Sequence, residues 1–237
     1  MRSVPGKVLA LIYMVLSVPC ALQKNSAEAQ EFTTTKPPIA IEVNIPNAAF
    51  KTRVLLQSPS ETETELQIIC QFQSLPENTL HGSLIEINEK LGGFLDKIRQ
   101  PSLFRGELSE TVLVTAPRGT LGAKNLLIIG LGDTQGFTPQ RLELVGSVAY
   151  TESNRLRVAH PYFAPTILDG GVTKYSTGEV AEEFMIGFLR AARIEKTLEA
   201  AGLAKAHAIE DLTFLAGPTH ADDTQRGIER ALTGAAH

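Results

Sequence analysis

The sequence has little cysteine, since only Cys20 and Cys70 occur in its 237 residues. Cys20 lies in an N-terminal segment that is expected to be removed, so no intramolecular disulfide is predicted in the remaining chain. An alternating apolar pattern surrounds Cys70, formed by Leu66, Ile68 and Phe72. Side chains two positions apart in a strand share one face, and no cationic residue is adjacent to activate the thiol. Cys70 is therefore predicted to be a small buried hydrophobe.

The sequence also lacks an excess of charge of one sign. Its 22 lysines and arginines against 26 aspartates and glutamates give a formal net charge of −4. A surface that binds nucleic acid carries clustered positive charge, so no nucleic-acid partner is expected. Hydrophobic residues make up 43% of the chain and charged residues 20%, as expected of a soluble globular domain.

An apolar run near the N-terminus is short for a membrane span. Residues 8–18 form a run of 11 residues, whereas a transmembrane helix needs about 20. Arg2 and Lys7 provide a basic start before the run, and a small-x-small site ends at Ala29. The pattern predicts a signal peptide over residues 1–29, and export to the periplasm or secretion, with no membrane span after cleavage.

Two alternatives to simple cleavage remain open at this segment. The apolar run would also suit an uncleaved signal anchor. A lipoprotein would need Cys20 as the acylated residue, but Pro19 stands where a small residue is preferred. Residues 30–38 are predicted to be a flexible leader, and residues 39–237 to form one folded domain.

Patterns that would carry catalysis are missing from the sequence. Its five histidines show no His-x-x-x-His ligand pair, and there is no Gly-x-Ser-x-Gly motif. The densest ligand-like group is His220 with Asp222 and Asp223, which stand where a helix is predicted to begin. An acidic pair at the start of a helix interacts favourably with the helix dipole. We therefore predict no catalytic residue, no metal site and no bound cofactor.

Strand and helix patterns alternate along most of the chain. Because the alternation is regular after residue 124, it predicts an α/β fold with a mixed, mostly parallel sheet between helices. A Gly92-Gly93 pair is expected to break the first helix, Thr138-Pro139 to start the next, and Ser176 and Glu179 to form a capping box. The predicted strands cover residues 39–45, 52–57, 66–72, 112–116, 126–129, 156–163 and 212–215, and the helices residues 80–98, a segment from 138, a segment from 176, and 221–232.

The stretch from Phe104 to Asp133 carries a family resemblance. It contains Phe104-Arg-Gly-Glu, then Glu110-Thr-Val-Leu-Val, then an apolar strand that ends in Gly130-Leu-Gly-Asp. This order resembles the N-terminal domain of the leucyl aminopeptidases of family M17, and weaker similarity extends over residues 179–188 and 211–236.

The resemblance implies a macro-domain-like, three-layer α/β/α fold for almost the whole processed chain. It also implies a domain that does not carry the family's chemistry. In M17 enzymes the metal ligands lie in a C-terminal domain, around an Asn-Thr-Asp-Ala-Glu-Gly-Arg string that this sequence lacks. Where the family has aromatic residues after Gly187, this sequence has Leu189, Ala191 and Ala192.

One loop has binding potential, formed by Gly130, Gly132, Asp133 and Gly136. A glycine-rich turn between a strand and a helix can cradle phosphate with its backbone N–H groups. However, the spacing is not that of a dinucleotide fingerprint, and Asp133 would bring negative charge to the phosphate. We expect the loop to be a structural turn, with a phosphate site as the alternative.

Three functions are compatible with these patterns. The first is a non-catalytic binding or assembly module in the cell envelope, which associates with a protein partner or with itself. The second is an enzyme, either a macro-type hydrolase of ADP-ribose or nucleotides or a subunit of a separately encoded aminopeptidase chain. The third is a small-ligand binder at the carboxyl ends of the strands. We favour the first.

Overall fold

The computed structural model describes residues 39–43, 51–73, 79–100, 103–206 and 208–234. The predicted signal peptide and leader lie outside these residues, as do His207 and His237. No helix of the described segments is long and apolar enough to cross a membrane. The elements, in chain order, are β1 (Ala40–Val43), β2 (Lys51–Leu55), β3 (Thr64–Gln71), α1 (Gly82–Lys90), α2 (Phe94–Ile98), β4 (Thr111–Thr115), β5 (Ala123–Gly130), α3 (Arg141–Arg155), β6 (Tyr162–Ala164), α4 (Thr177–Ala200), β7 (Asp211–Leu215) and α5 (Ala221–Gly234).

The described strands form one seven-stranded sheet in the order β1-β2-β7-β6-β3-β5-β4. The five inner strands run parallel, while β1 and β4 pair antiparallel at the two edges. The prediction of a mixed, mostly parallel sheet is therefore confirmed. Because parallel neighbours end at the same edge of a sheet, the loops that follow β3, β5 and β6 lie side by side.

Two hydrophobic cores lie on opposite faces of the sheet. The larger contains residues of α3, α4 and α5, and the smaller contains residues of α1 and α2. Alternation along β3 sends Ile68 and Cys70 into the larger core and Ile69 into the smaller one. Cys70 is fully buried, as its pattern predicted, and helices on both faces confirm the three-layer α/β/α fold.

Glycines set the spacing within the layer formed by α3, α4 and α5. A methyl group on Gly187 of α4 would overlap the carbonyl oxygen of Glu143 on α3. A methyl on Gly146 of α3 would overlap the carbonyl oxygen of Phe184, and Gly227 of α5 lies equally close to α4. The three helices therefore pack backbone against backbone at these crossings.

An aromatic cluster joins this layer to the sheet. The ring of Phe184 on α4 is stacked on Phe163 of β6, with 3.7 Å between centroids and 16° between planes. It meets Phe214 of β7 edge-on at 5.4 Å and lies 5.7 Å from Phe188, one helical turn along. All four side chains are fully buried, so the cluster forms the centre of the larger core.

The predicted break in the first helix is confirmed. The chain forms α1 and α2 on either side of Gly92 and Gly93, which have φ angles of 62° and 77°. These values lie in the left-handed region that glycine adopts at little cost. The capping box is also confirmed: the side chain of Ser176 accepts from the amide of Glu179, whose carboxylate accepts from the amide of Ser176.

The predicted helix start, with Thr138 as the N-cap and Pro139 as the first helical residue, is two residues early. The helix α3 begins at Arg141, and its N-cap, Gln140, makes no side-chain capping bond. Thr138 and Pro139 instead form a tight turn, because their carbonyls accept from the amides of Arg141 and Leu142 at 3.1 and 2.8 Å. This turn places Arg141 beside the glycine loop.

The predicted strand over residues 156–163 is also mostly wrong, since β6 spans only Tyr162–Ala164. The preceding residues end α3 instead. The amide of Val158 donates to the carbonyl of Ser153 and that of Arg157 to Asn154, while Arg157 has a φ of 59°. This is the Schellman arrangement, which closes a helix through one left-handed residue.

Candidate functional site

The candidate site lies at the carboxyl edge of the parallel strands, where β6, β3 and β5 are neighbours. The glycine loop follows β5 and precedes α3, as the sequence predicted. It also extends the pairing with the end of β3, because Leu131 donates to the carbonyl of Gln71 at 3.0 Å and Gln73 donates to that of Gly132 at 2.9 Å. The loop is therefore joined to the sheet at this edge.

The backbone amides of the loop make hydrogen bonds within the chain. Gly130 donates to the carbonyl of Glu110 at 2.8 Å, and Gly132 donates to that of Gly106 at 2.8 Å. The amide of Gly136 donates to the side chain of Asp133. A phosphate cradle needs amides that point at the ligand, whereas these amides have partners already.

Arg141 occupies the interior of the loop and was missed by the sequence reasoning. Its guanidinium donates to the carbonyls of Leu131 and Asp133 at 3.0 and 2.9 Å, and to the Asp133 carboxylate at 3.2 Å. The same group lies 2.9 Å from where a Cβ would stand on Gly132, and 2.7 Å from that position on Gly136. Both glycines thus make room for an internal arginine.

The carboxylate of Asp133 is stabilised in its charged form by the loop. Its pKa is lowered first by the hydrogen bond from the Gly136 amide and then by the bond from Arg141. The negative charge of Asp133, which was expected to disfavour a phosphate ligand, is therefore paired inside the loop. The ion pair makes the turn independent of any bound ion for its charge balance.

Thr166, just after β6, was also missed by the sequence reasoning. Its hydroxyl donates to the carbonyl of Cys70 at 2.6 Å and accepts from the amide of the same residue at 3.0 Å. Thr166 has a φ of 50°, which is a strained value for a β-branched residue. This arrangement fixes the ends of β6 and β3 to each other. Burial raises the pKa of the neighbouring Cys70 thiol, and the thiol therefore stays protonated.

A second carboxylate lies at the same edge of the sheet. Asp169 accepts a hydrogen bond from the hydroxyl of Ser83, in the first turn of α1. A methyl group on Gly82 would overlap the Asp169 carboxylate, so glycine is needed there for the carboxylate to approach α1. Like Asp133, this carboxylate joins two elements of the fold.

The group around His220 serves two helices. Asp222 and Asp223 lie in the first turn of α5, as predicted. Asp223 also accepts from the amide of Gly178 at 2.7 Å and from the hydroxyl of Thr177 at 3.2 Å, at the start of α4. Desolvation raises the pKa of Asp223, but these bonds outweigh it and the pKa is lowered. In the described part of the chain, no three or more His, Cys, Asp or Glu side chains lie close enough to hold a metal ion.

Comparison with known proteins identifies the family. Residues 68–192, more than half of the chain, match the model of the cytosol aminopeptidase family, N-terminal domain. The chain belongs to this family. The matched range includes the glycine loop, Arg141 and Thr166, so it covers the strand edge described above.

Two relatives within the family are probable cytosol aminopeptidases. The chain is 26% identical over 142 residues to that of Roseiflexus castenholzii, over 60% of this chain and 28% of the relative. It is 28% identical over 139 residues to that of Microcystis aeruginosa, over 57% of this chain and 27% of the relative. The chain thus matches little more than a quarter of the length of either relative.

Solved structures show the same fold at low identity. A tomato leucine aminopeptidase mutant has a TM-score of 0.58 and 16% identity, over 82% of this chain and 38% of the other. A macrodomain of Oceanobacillus iheyensis with ADP has a TM-score of 0.54 and 12% identity, over 85% of this chain and 98% of the other. These structures confirm the predicted macro-domain-like fold, and the family model confirms the family resemblance.

We expect ADP-ribose, ADP and inorganic phosphate to leave the melting temperature of this chain unchanged. The amides of Gly130, Gly132 and Gly136 are already bonded, and the carboxylate of Asp133 is paired with Arg141. A ligand at 100 times its dissociation constant would stabilise by about 2.7 kcal/mol, which shifts a domain of this size by several degrees. The measurement is a thermal melt with and without each compound.

The Oceanobacillus iheyensis macrodomain, whose solved structures include ADP and ADPR complexes, is the positive control. A melting shift in this chain comparable to that of the control would contradict the structural interpretation of the loop. A Gly132→Val variant is a poor test of binding, because Gly132 has a φ of 77° and lies against Arg141. Asp133→Asn is the better variant for this melting experiment, because it removes the negative charge of the side chain and keeps an acceptor oxygen.

Proposed function

We propose that this chain is a non-catalytic binding or assembly module of the cytosol aminopeptidase family, acting in the cell envelope. The observation that carries the proposal is the match of residues 68–192 to the N-terminal domain of the family. The matched region corresponds to about 27–28% of the relatives' length. The resemblance in sequence assigns the chemistry of that family to a different domain.

The geometry of the strand edge supports a structural role for its polar groups. Asp133 is paired with Arg141, and Asp169 holds the first turn of α1 through Ser83. The hydroxyl of Thr166 is bonded to the backbone of β3. These three side chains are thereby engaged in positioning a loop, a helix or a strand.

The side chains that follow Gly187 do not supply a docking surface under this proposal. The resemblance places aromatic residues of the family here, but Leu189, Ala191 and Ala192 are buried in the larger core. Contacts with a partner would then have to come from other parts of the domain.

The location in the cell envelope rests on the sequence of residues 1–29. A basic start, an apolar run and a small-x-small site together are typical of a secretory signal. Under this proposal the protein purified from its native host begins at Gln30, and an intact-mass measurement checks it. A species that retains residues 1–29, or that carries lipid on Cys20, would contradict the assignment.

We expect the purified chain to show no aminopeptidase activity. The reason is that the matched region is the domain that does not hold the family's metal ligands. The measurement is hydrolysis of leucine p-nitroanilide in the presence of Mn²⁺ or Zn²⁺, with a full-length cytosol aminopeptidase as positive control.

Metal-dependent turnover that stays with the protein through repurification would refute the proposal. A second arm addresses the alternative of an enzyme subunit. The chain is added to a separately produced catalytic domain of the family, and the rate of hydrolysis is compared with that of the catalytic domain alone. A reproducible, saturable change in that rate would favour the subunit alternative over an independent module.

A further inference from the structure

We propose that the outer edge of β4, which pairs with no further strand among the described residues, is a self-association site, at which a second copy of this chain pairs antiparallel about Leu113. The two seven-stranded sheets would then continue into each other. The inference deepens the proposed assembly role and rests on it, because it names the partner as a second copy. Its observations come from β4 and the residues that flank it, and none of them concerns catalysis.

The hydrogen-bond pattern of β4 leaves alternate peptide groups facing away from the sheet. Gly130 donates to Glu110 at 2.8 Å and Ala116 donates to Lys124 at 3.0 Å, so Glu110 and Ala116 face β5. Since this direction alternates along an antiparallel strand, the peptide groups of Thr111, Leu113 and Thr115 point outward. Their side chains are exposed too, that of Leu113 to 47%.

The sequence of β4 reads the same in both directions, as Thr-Val-Leu-Val-Thr. A twofold interface requires that residue i meets residue j while j meets i. With the axis at Leu113, Thr111 meets Thr115 of the second copy, and Leu113 meets Leu113. A strand with this sequence is complementary to itself.

A twofold axis at Leu113 also lets the outward-facing peptide groups of the two strands hydrogen-bond to each other. A hydrogen-bonded pair across two antiparallel strands needs outward-facing peptide groups on both residues. The axis at Leu113 pairs Thr111, Leu113 and Thr115 only with these same residues of the second copy. Each such pair exchanges two hydrogen bonds, so the contact would form about six. A shift of the register by one residue would set outward groups against inward ones and break the pattern.

The strand has no device that blocks pairing at an edge. Edge strands usually carry lysine, proline or a bulge that discourages contact with another chain. Residues 111–115 contain none of these, and their threonines and valines favour strand pairing. The first residue that would discourage such pairing is Pro117, which follows the end of the strand.

Flanking charges favour the antiparallel arrangement. Glu107 and Glu110 precede β4, and Arg118 follows it. Arg105 pairs with Glu107 at 3.1 Å, so the two carboxylates still leave the segment before the strand with a net negative charge. Antiparallel pairing brings the acidic start of one strand near the basic end of the other, whereas parallel pairing would bring like charges together. Because a single strand pair buries little area, we expect a weak dimer that forms and dissociates readily.

The experiment is sedimentation velocity of the processed chain over a concentration series that ends at about 1 mM, the range where weak contacts are populated. The wild-type chain is expected to shift from monomer toward dimer. Leu113→Lys places two positive charges against each other at the axis and is expected to remain monomeric. The matched control is Ile194→Lys on α4, which is 58% exposed and distant in sequence, and it is expected to dimerise like the wild type.

A second variant gives a positive readout. Two cysteines at position 113 would face each other with Cα atoms about 5.5 Å apart, within disulfide range. Mild oxidation with an excess of oxidised glutathione is expected to convert Leu113→Cys to a covalent dimer, while each pair of thiols loses two electrons and two protons to the oxidant. Ile194→Cys, the control, is expected to remain largely uncrosslinked.

A wild-type chain that stays monomeric throughout the series would overturn the inference, as would a Leu113→Lys variant that dimerises like the wild type. Equal crosslinking of the two cysteine variants would also count against it. Circular dichroism of each variant verifies that it is folded. The aminopeptidase assay is separate: activity there refutes the proposed function and leaves the dimer in place, whereas a monomeric, inactive chain refutes only the dimer.

Discussion

Replacement of Phe184 by alanine is expected to lower the free energy of unfolding by about 3–5 kcal/mol, the usual cost of deleting a buried phenylalanine. The ring is fully buried and contacts aromatic rings from two strands and its own helix. Its removal would leave a cavity between α4 and the sheet. Since domains are stable by about 5–15 kcal/mol, this one change would remove a large part of the total.

The measurement is equilibrium unfolding in urea, read as the shift in midpoint at constant slope. The control is Ile194→Ala on the same helix, which is 58% exposed and should change the stability by at most about 0.5 kcal/mol. Phe184→Leu, which keeps most of the volume, should fall between the two. If Phe184→Ala shifted the midpoint no more than Ile194→Ala, the central place of the aromatic cluster would be disproved.

Replacement of Gly187 by alanine is expected to destabilise the fold by about 1–3 kcal/mol, although alanine is the better helix former by about 1 kcal/mol. A methyl at this position would overlap the backbone of Glu143 rather than a mobile side chain. The helices would have to separate, and this would strain the bond from the Ser147 hydroxyl to the Gly187 carbonyl, now 3.0 Å long.

Gly234→Ala is the matched control, because it also lies in a helix but has nothing within 4 Å of the added methyl. It is expected to be neutral or to stabilise by up to about 1 kcal/mol through the unfolded chain. The two glycines should therefore give effects of opposite sign in the same urea experiment. A stabilising Gly187→Ala change would mean that α3 and α4 are not in backbone contact.

The features predicted well from the sequence depend on neighbouring residues. The alternation around Cys70 identified its buried face, Gly92 and Gly93 marked a helix break, and Ser176 with Glu179 marked a helix start. In each case the pattern and its physical cause lie within a few residues. The mixed, mostly parallel character of the sheet also followed from the regular alternation of strands and helices, whereas the order of the strands was not predicted.

The features that were missed depend on contacts between distant segments. Arg141 binds a loop that ends five residues earlier, and the helix start that places it there was predicted at Thr138. Thr166 acts on Cys70, 96 positions away, and Asp223 accepts from the amide of Gly178 in α4, 45 positions earlier. Nothing in the local sequence distinguishes these side chains from ordinary surface threonines, arginines and aspartates. The candidate edge was thus located from sequence, whereas the partners that complete it were not.

The contact between Asp223 and the start of α4 has a consequence for how the protein opens. Because the amide of Gly178 in the first turn of α4 relies on Asp223 of α5, and glycine contacts hold α3, α4 and α5 together, these helices should fluctuate as one cooperative unit. The smaller core beneath α1 and α2 lies on the other face of the sheet and can open by itself. The glycine loop is fastened through Arg141 to the first turn of α3. The loop is therefore expected to open only together with that unit, as a rigid rim rather than as a lid.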